Sequence, residues 1–187
     1  MKVKLDLHTH IWEASGFQQP NLDWATKVVQ QAKAMGIDGI AITEHHGIEN
    51  SHAYKCIIEE HFPGQLLVFP GLEKDVHPIG NYFAAYQVGE FLLPNGRMFR
   101  NYCHPGYPSQ EVVIENVQSI EIDNKLHNWH IDKGKVTEIA KNHGLLLTRV
   151  SDAHRLADIG TNYVEVDLEE FYSLGISLDG HGRGPLQ

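Results

Sequence analysis

The 187-residue sequence lacks several features that would assign a protein to a class directly. Its two cysteines, Cys56 and Cys103, form no Cys-X-X-Cys pair, so no disulfide framework is expected and both are predicted to be reduced and buried. No apolar run approaches the roughly 20 residues that span a bilayer, and the N-terminus lacks the apolar core of a signal peptide. We therefore expect a cytoplasmic protein without a membrane partner.

Internal repeats, low-complexity blocks and domain-splitting linkers are also missing. The length suits one well-cored domain, which we place at residues 1–178, with 179–187 as a glycine-rich, flexible tail. The formal net charge of −9 argues against a nucleic-acid backbone as the main partner. The sequence carries no indication of oligomeric state.

Histidine is the residue in excess, with 13 copies. Short apolar strands alternate with amphipathic helices, which predicts parallel βα units in a sheet or barrel. Functional side chains collect at strand ends in such folds. Candidate ligands follow six apolar runs in turn: His8 and His10, His45, Glu73, His104, Asp123 or Asn124, and Asp152 with His154. This regular placement predicts a polynuclear metal site.

Boundaries of the elements follow from capping and breaker residues. The first long helix is predicted to begin after Asn21 and end at Gly36, and a later one runs from Asp132 to His143 and is closed by Gly144. Further helices are predicted around 51–61 and 111–117, and a terminal helix is capped by Asp167. Strands are predicted at 1–5, 37–43, 65–70, 79–88, 99–103, 119–122, 145–150 and 163–166.

The ordered set of motifs resembles the PHP (polymerase and histidinol phosphatase) family over nearly the whole chain. The motifs are Asp6-Leu7-His8-Thr9-His10, Thr43-Glu44-His45, Gly71-Leu72-Glu73, His104-Pro105, Ile120-Glu121-Ile122-Asp123-Asn124 and Ser151-Asp152-Ala153-His154. The resemblance implies an α/β fold of PHP type, a distorted TIM-like barrel of about seven βα units. It also implies two or three divalent ions at the C-terminal ends of the strands.

Matching the motifs implies a ligand set for each ion. The first ion takes His8, His10, Glu73 and Asp152; Glu73 bridges to a second ion held by His104; His45 and His154 form a third position. Imidazole and carboxylate together suit zinc, manganese or iron. Asp6 and Glu44 are expected to orient ligands without binding metal.

Two departures from the family pattern concern the metal site. Asn81 stands where the family usually has a histidine, so it is either a weaker ligand or a sign of a less tightly held second ion, and His77 is a possible substitute. Glu44 replaces the usual aspartate. Arg149 and Arg155 are candidates for contact with a substrate phosphate, and surface salt bridges are the alternative.

The function predicted from these residues is metal-dependent hydrolysis of a small phosphomonoester or nucleotide-like substrate. Water between two ions loses a proton and attacks phosphorus, and His154 or His45 protonates the leaving oxygen. Two alternatives stay open: an amide or ester hydrolase, and a binding or regulatory module with reduced or no activity, for which Asn81 is the main support. Specificity is expected in loops 11–20, 89–98 and 125–131, where His127 and His130 lie beside Trp129 and can line a pocket.

Overall fold

The computed structural model describes residues 1–78, 80, 85–110 and 114–177, and these residues form eight strands and five α-helices. The strands are β1 (Lys2–Thr9), β2 (Gly39–Glu44), β3 (Leu67–Val76), β4 (Tyr86–Leu92), β5 (Met98–Pro108), β6 (Ser119–Asn124), β7 (Leu146–Val150) and β8 (Val164–Asp167). The helices are α1 (Ile11–Ala14), α2 (Leu22–Met35), α3 (Ile48–His61), α4 (Lys133–His143) and α5 (Leu168–Leu174). Two short 3₁₀ turns cover Asn128–His130 and Leu156–Asp158.

All eight strands belong to one sheet with the order β7-β6-β5-β4-β3-β2-β1-β8. Neighbours pair in parallel in β1–β2, β2–β3, β5–β6 and β6–β7, but β3–β4, β4–β5 and β1–β8 are antiparallel. The prediction of uniformly parallel βα units is therefore wrong for the middle of the sheet. The connections explain why: a tight turn at residues 93–97 joins β4 to β5, and the stretch 77–85 is shorter than the dozen residues a parallel crossover needs.

The sheet is nearly closed and barrel-like, because β1, next to the edge strand β8, meets the residues that follow β7 at the other edge. The Asp152 N–H donates to the His8 carbonyl at 3.0 Å, and the His10 N–H donates to the Ala153 carbonyl at 2.9 Å. These two bonds join the end of β1 to the residues that follow β7. The fold is thus mixed α/β, with the seam of the barrel at the residues predicted to hold metal.

Two hydrophobic clusters support the site. Helices α2 and α3 pack on β2 and β3 through side chains such as Val28, Tyr54 and Ile40, all fully buried. A second cluster draws side chains from β1, β5 and α5 among other elements, including Leu5, Phe99 and Phe171. Apolar packing on both sides holds the strand ends at fixed positions.

Capping residues place the helices as the sequence predicts. The Asn21 side chain accepts from the Trp24 N–H at 2.9 Å to begin α2, and Gly36, with φ +69°, ends it. Asp132 and Gly144 do the same for α4, and Asp167 caps α5. Helix α3 begins at Ile48, slightly earlier than predicted.

Some predictions for individual segments fail or lie outside the described residues. No helix forms over 114–117, where chain direction changes in bends; 111–113 are not described. Cys56 is exposed rather than buried because it lies on the outer face of α3, whereas Tyr54 and Ile58 face inward; Cys103 is buried as predicted. The tail, 179–187, also lies outside the described residues. None of the helices in the described ranges is both long and apolar enough to cross a bilayer.

Candidate metal centre

Four donor atoms converge at the seam of the barrel. His8 Nε2 and His10 Nε2 lie 3.0 Å apart. Glu73 Oε2 lies 3.3 Å from His8 Nε2 and 3.6 Å from His10 Nε2, and Asp152 Oδ1 lies 3.5 and 3.2 Å from the same two nitrogens. Donors around one ion at about 2.1 Å are about 3.0–3.4 Å apart in octahedral and tetrahedral geometry. The four side chains therefore form a set that one divalent ion fits.

Glu73 also faces donors outside this set. Its Oε1 lies 3.1 Å from His104 Nε2, and its Oε2 lies 3.2 Å from His45 Nδ1. The carboxylate is 2% exposed and sits on β3 at the point where β4 pairs with it. One buried carboxylate thus touches three neighbouring groups of donors, which is the arrangement a bridging ligand requires.

A further group of donors lies on the solvent side. Glu13, His45 and His154 join His10 in a set whose ligand atoms all lie within 4.8 Å of one another. His154 Nε2 is 3.5 Å from Glu13 Oε2, and the His10 ring lies 4.4 Å from the His45 ring and 4.2 Å from the His154 ring, in a stacked orientation to each. His10 Nδ1 is buried without a hydrogen-bond partner in the described structure. This set extends the third position predicted from His45 and His154 by one carboxylate.

Glu121, on β6, accepts hydrogen bonds from two of the candidate ligands, His8 and His104. Its Oε1 accepts from His8 Nδ1–H at 2.9 Å, and its Oε2 accepts from the His104 backbone N–H at 2.7 Å. The side-chain amides of Asn101 and Asn124 donate to the same carboxylate at 2.7 and 2.9 Å. The bond to Nδ1 leaves His8 Nε2 as the metal-binding nitrogen, so Glu121 determines which nitrogen of His8 faces the donor set.

Backbone conformation at the site is unusual at two of the candidate ligands. His104 has φ +27° and Asp152 has φ +53°, in the left-handed region that side chains other than glycine rarely occupy. The Glu121 carboxylate holds the His104 N–H, and the His8 carbonyl holds the Asp152 N–H. Such conformations persist where surrounding bonds enforce them, and they concentrate at functional sites.

Carboxylates outnumber cationic groups in this buried region. Among the described residues, the ion-pair partners of Glu73 and Asp152 are all histidines, and no lysine or arginine contacts either. Burial opposes charge on Glu73, but the adjacent His8 and His104 hold its pKa well below the usual range. Divalent cations would neutralise such a cluster directly, since uncompensated buried carboxylates are costly.

The histidines of the same cluster differ in the direction in which their pKa values are shifted. Burial opposes the charged form of His8, yet Asp152, Glu73 and Glu121 together raise its pKa well above the usual value. Burial also opposes a charged His104, and the bond to Glu73 outweighs it and raises the pKa. Burial lowers the pKa of His10 to about 4, so this ring is neutral near pH 7 and has a free lone pair for a cation.

The two carboxylates predicted to orient ligands accept hydrogen bonds from backbone N–H groups next to the site. Asp6 accepts from the Ser151 N–H at 3.0 Å and the Gly160 N–H at 2.9 Å, so it positions the backbone beside Asp152 and bonds to neither His8 nor His10. Glu44 accepts from the Trp12 N–H at 2.7 Å and anchors α1, which carries Glu13. Burial raises the pKa of Glu44 to about 7.

Of the remaining predicted site residues, some lie beside the donor atoms and others lie away from them. Arg155 lines a depression of about 300 Å³ together with Lys125, Asp152 and His154. Arg149 is an exposed residue of β7 and is absent from the lining of that depression. His77 is exposed just beyond β3 and belongs to none of the donor groups. Asn81 lies outside the described residues.

Several residues of the site were not selected from the sequence. Glu13 and Glu121 carry a signal in hindsight, since one follows the first motif closely and the other lies inside the strand before Asn124. Gln87 enters the lining of the central cavity, of about 160 Å³, because β4 runs antiparallel and places its start beside Glu73. Tyr107 lines the same cavity; His127, predicted from the sequence to line a pocket, lines it too.

Comparisons with known proteins identify the fold. No protein-family model matches the sequence, and no curated protein matches it. The solved structure of PsfC from Pseudomonas syringae superposes with a TM-score of 0.62 at 18% identity, over 89% of this chain and 82% of that one. A protein from Bifidobacterium adolescentis, provisionally described as a metal-dependent phosphoesterase, superposes with a TM-score of 0.67 at 13% identity, over 94% of this chain and 98% of that one. The chain therefore shares its fold with these two proteins.

Proposed function

We propose that this protein is a metal-dependent phosphoester hydrolase of PHP type. The observation that carries the proposal is the Glu73 carboxylate, whose two oxygens face His104 on one side and His8, His10 and His45 on the other. A carboxylate shared between donor groups favours two or more ions held close together, and such centres are typical of phosphoester hydrolysis. The likeness in fold to a protein described as a metal-dependent phosphoesterase supports the same assignment.

In this proposal the donor groups hold two or three divalent ions. His8, His10, Glu73 and Asp152 would hold the first, Glu73 and His104 the second, and His45, His154 and Glu13 the third. Histidine with carboxylate favours zinc, manganese or iron over calcium. When bound, the ions supply positive charge for the phosphoryl oxygens and lower the pKa of water near phosphorus.

The reaction that follows is hydrolysis of a small phosphomonoester. Water adds to phosphorus, the bond from phosphorus to the alcohol oxygen breaks, and that oxygen takes up a proton, giving phosphate and the free alcohol. With no ion in the third position, His154 would suit the role of proton donor, because its Nδ1–H donates to the Asp152 carbonyl at 3.0 Å and its Nε2, facing Glu13 and the opening of the site, is left to transfer the proton. His45 approaches Glu13 from the other side, with Nε2 4.0 Å from Oε1.

Arg155 and Lys125 supply charge for the substrate phosphate in this proposal. Both line the depression that contains Asp152 and His154, and neither side chain forms an ion pair among the described residues. A guanidinium free of carboxylates is well suited to contact phosphate oxygens.

The test is hydrolysis of a phosphomonoester panel by protein freed of metal and reloaded with manganese or zinc. We expect turnover to require metal and to fall at least about 1000-fold in Glu73→Gln. Glu138→Gln, an exposed glutamate of α4, is the matched control and should keep full activity. Protein that binds metal but hydrolyses no phosphomonoester with any ion would refute the proposal.

A further inference from the structure

Four aromatic side chains, Tyr107, His127, Trp129 and His130, form a group beside the donor atoms, which we call the ring cluster. Tyr107 stacks on His127 at 4.7 Å with an angle of 20° between the rings, and lies 5.0 Å from His130. Trp129 meets His130 edge-on at 5.1 Å. Tyr107 comes from β5, and the other three come from the segment after β6, so the cluster joins two elements.

The outer end of the ring cluster is open to solvent. The Trp129 side chain is 82% exposed, more than any other large hydrophobic side chain in the described part of the chain. Tyr107 is 40% exposed. A flat indole face that contacts almost nothing in the protein is suited to stack against a second ring.

A cavity of about 310 Å³ adjoins this open end. It is lined by Trp129 and His130 of the ring cluster and by Pro105, Gly106, Gln110, Asp132, Lys135 and Val136. The side chains of Gln110 and Lys135 form no hydrogen bond or ion pair among the described residues, so both can bond to polar atoms of a ligand. An aromatic wall with a few hydrogen-bonding groups at its edge is typical of a small-molecule subsite.

Gly106 makes the close contact that builds this cavity wall. A Cβ there would lie 2.3 Å from the His130 carbonyl oxygen, and its φ of +106° is one that residues other than glycine rarely adopt. Only glycine lets β5 approach the turn that carries Trp129 and His130. The two elements that form this wall, β5 and the turn at Asn128–His130, are therefore in direct contact at Gly106.

The ring cluster connects the cavity to the metal centre. His127 lies 4.6 Å, ring to ring, from His104, and its Nε2 is 4.0 Å from Asp152 Oδ2. Ring-to-ring contacts thus run from His104 through His127 and His130 to Trp129. A molecule with a phosphate at the donor atoms would extend its other end along these rings.

We propose that the ring cluster and its cavity form a subsite for a flat heteroaromatic ring, the chemical class to which nucleobases belong, carried on the alcohol part of the substrate. Trp129 stacks on the ring, and Gln110 and Lys135 bond to its polar edge. The link to a phosphoester rests on the proposed function, whereas binding of the ring itself does not.

Ring binding is tested with nucleosides, which carry no phosphate. Dissociation constants for adenosine, guanosine, cytidine and uridine are measured by titration calorimetry on wild type, Trp129→Ala and Phe17→Ala. We expect at least one nucleoside to bind wild type and its Kd to rise about tenfold in Trp129→Ala. Phe17→Ala removes another exposed ring, 60% exposed and packed on Trp12, and should leave the Kd unchanged. Absence of binding by all four nucleosides, or equal binding to Trp129→Ala, would overturn the subsite.

Hydrolysis separates this inference from the proposed function. With adenosine 5′-phosphate and glycerol phosphate as substrates, Trp129→Ala should lower kcat/KM about tenfold for the first and leave the second unchanged. Hydrolysis of both with no change in their ratio refutes the subsite and leaves the hydrolase intact. Nucleoside binding through Trp129 without hydrolysis of any phosphoester refutes the hydrolase and leaves the subsite intact.

Discussion

At the scale of single residues, Glu121 has the largest number of contacts to the candidate ligands without belonging to the donor set. It accepts four hydrogen bonds, two of them from His8 and His104, and it is fully buried. The sequence places it two residues before Asp123 in a strand motif, where its side chain has the same appearance as any alternating strand residue. Its role depends on which nitrogen and which N–H lie within reach, and the sequence does not contain that information.

Glu121→Gln tests this role. The amide nitrogen of glutamine would face a donor, either His8 Nδ1–H or a neighbouring N–H, so His8 would lose its fixed orientation. We expect metal affinity to fall about 10- to 100-fold with the fold retained. Metal content after dialysis, measured by mass spectrometry, is the readout, and Glu138→Gln is the matched control. Unchanged metal affinity in Glu121→Gln would show that His8 needs no such support.

Protons and metal compete for the same histidine nitrogens. The pKa values of His8 and His104 are raised above the usual value of 6.5, so both rings keep their protons to a higher pH than an ordinary histidine when no cation is bound. Metal binding must release those protons, and the apparent affinity falls as pH decreases through and below the raised pKa values, by about tenfold per pH unit for each proton released. His10, with its pKa lowered to about 4, should release none above that pH.

Calorimetric titration of zinc at pH 7, in two buffers of different ionisation enthalpy, measures the number of protons released. We expect wild type to release protons when zinc binds, and Glu73→Gln, in which the carboxylate that raises the pKa of His104 is gone, to release up to one proton fewer. Zinc binding without net proton release at pH 7 would contradict the prediction. A site built only from carboxylates of lowered pKa would behave differently, because those groups are already deprotonated at pH 7 and metal binding would be nearly independent of pH in this range.

At the scale of elements, the antiparallel pairing of β3, β4 and β5 decides where Glu73 points. Short apolar runs predicted the strands, but they placed the fourth at 79–88, whereas β4 covers Tyr86–Leu92. They also assigned it to a parallel unit, because an apolar run does not reveal the direction of the neighbouring strand. The short connections on both sides of β4 exclude a parallel crossover and produce the observed pairing. This pairing brings Gly89 opposite Glu73 and Gln87 into the cavity.

The glycines of this pairing differ in how much space surrounds them. A Cβ on Gly71 would lie 2.4 Å from the Glu90 carbonyl oxygen and 2.5 Å from Phe91 Cβ, whereas one on Gly89 would meet Thr43 Cγ2 at 3.3 Å. We expect Gly71→Ala to cost about 3 kcal/mol or more of unfolding free energy and Gly89→Ala about 1 kcal/mol. Because Gly71 lies two residues before Glu73, Gly71→Ala should also lower metal affinity.

Chemical denaturation of the two variants measures the first difference, and metal analysis measures the second. Equal stability of Gly71→Ala and wild type would mean that β3 and β4 are farther apart than described. Loss of metal in Gly89→Ala with Gly71→Ala unaffected would contradict the assignment of these contacts.

At the scale of the whole molecule, the candidate ligands join distant parts of the chain across the barrel seam. His8 and His10 belong to the first strand region, and Asp152 follows the seventh strand. Bound metal would link these ends directly, in addition to the two backbone hydrogen bonds already present there. Ligands that bind only the folded state stabilise it by mass action.

Metal should therefore raise the unfolding temperature of the whole domain. At a metal concentration about 100 times Kd the gain is about 3 kcal/mol, which corresponds to a rise of roughly 6–12 °C for a chain of this size. Calorimetric scans with and without a chelator measure it. The rise should be absent in Asp152→Asn and retained in Glu138→Gln; a rise of equal size in Asp152→Asn would place the bound metal elsewhere.

The sequence by itself determined the features that depend on near neighbours. Caps at Asn21 and Asp132 bond to backbone within three residues, and the donor residues lie after apolar runs, so local pattern was sufficient to find both. Tertiary structure alone decided the direction of β4, the bonds made by Asp6 and Glu121, and the entry of Glu13 and Tyr107 into the site. The reason is physical: these depend on distances between residues tens of positions apart in the chain, and such distances are set by packing of the complete sheet.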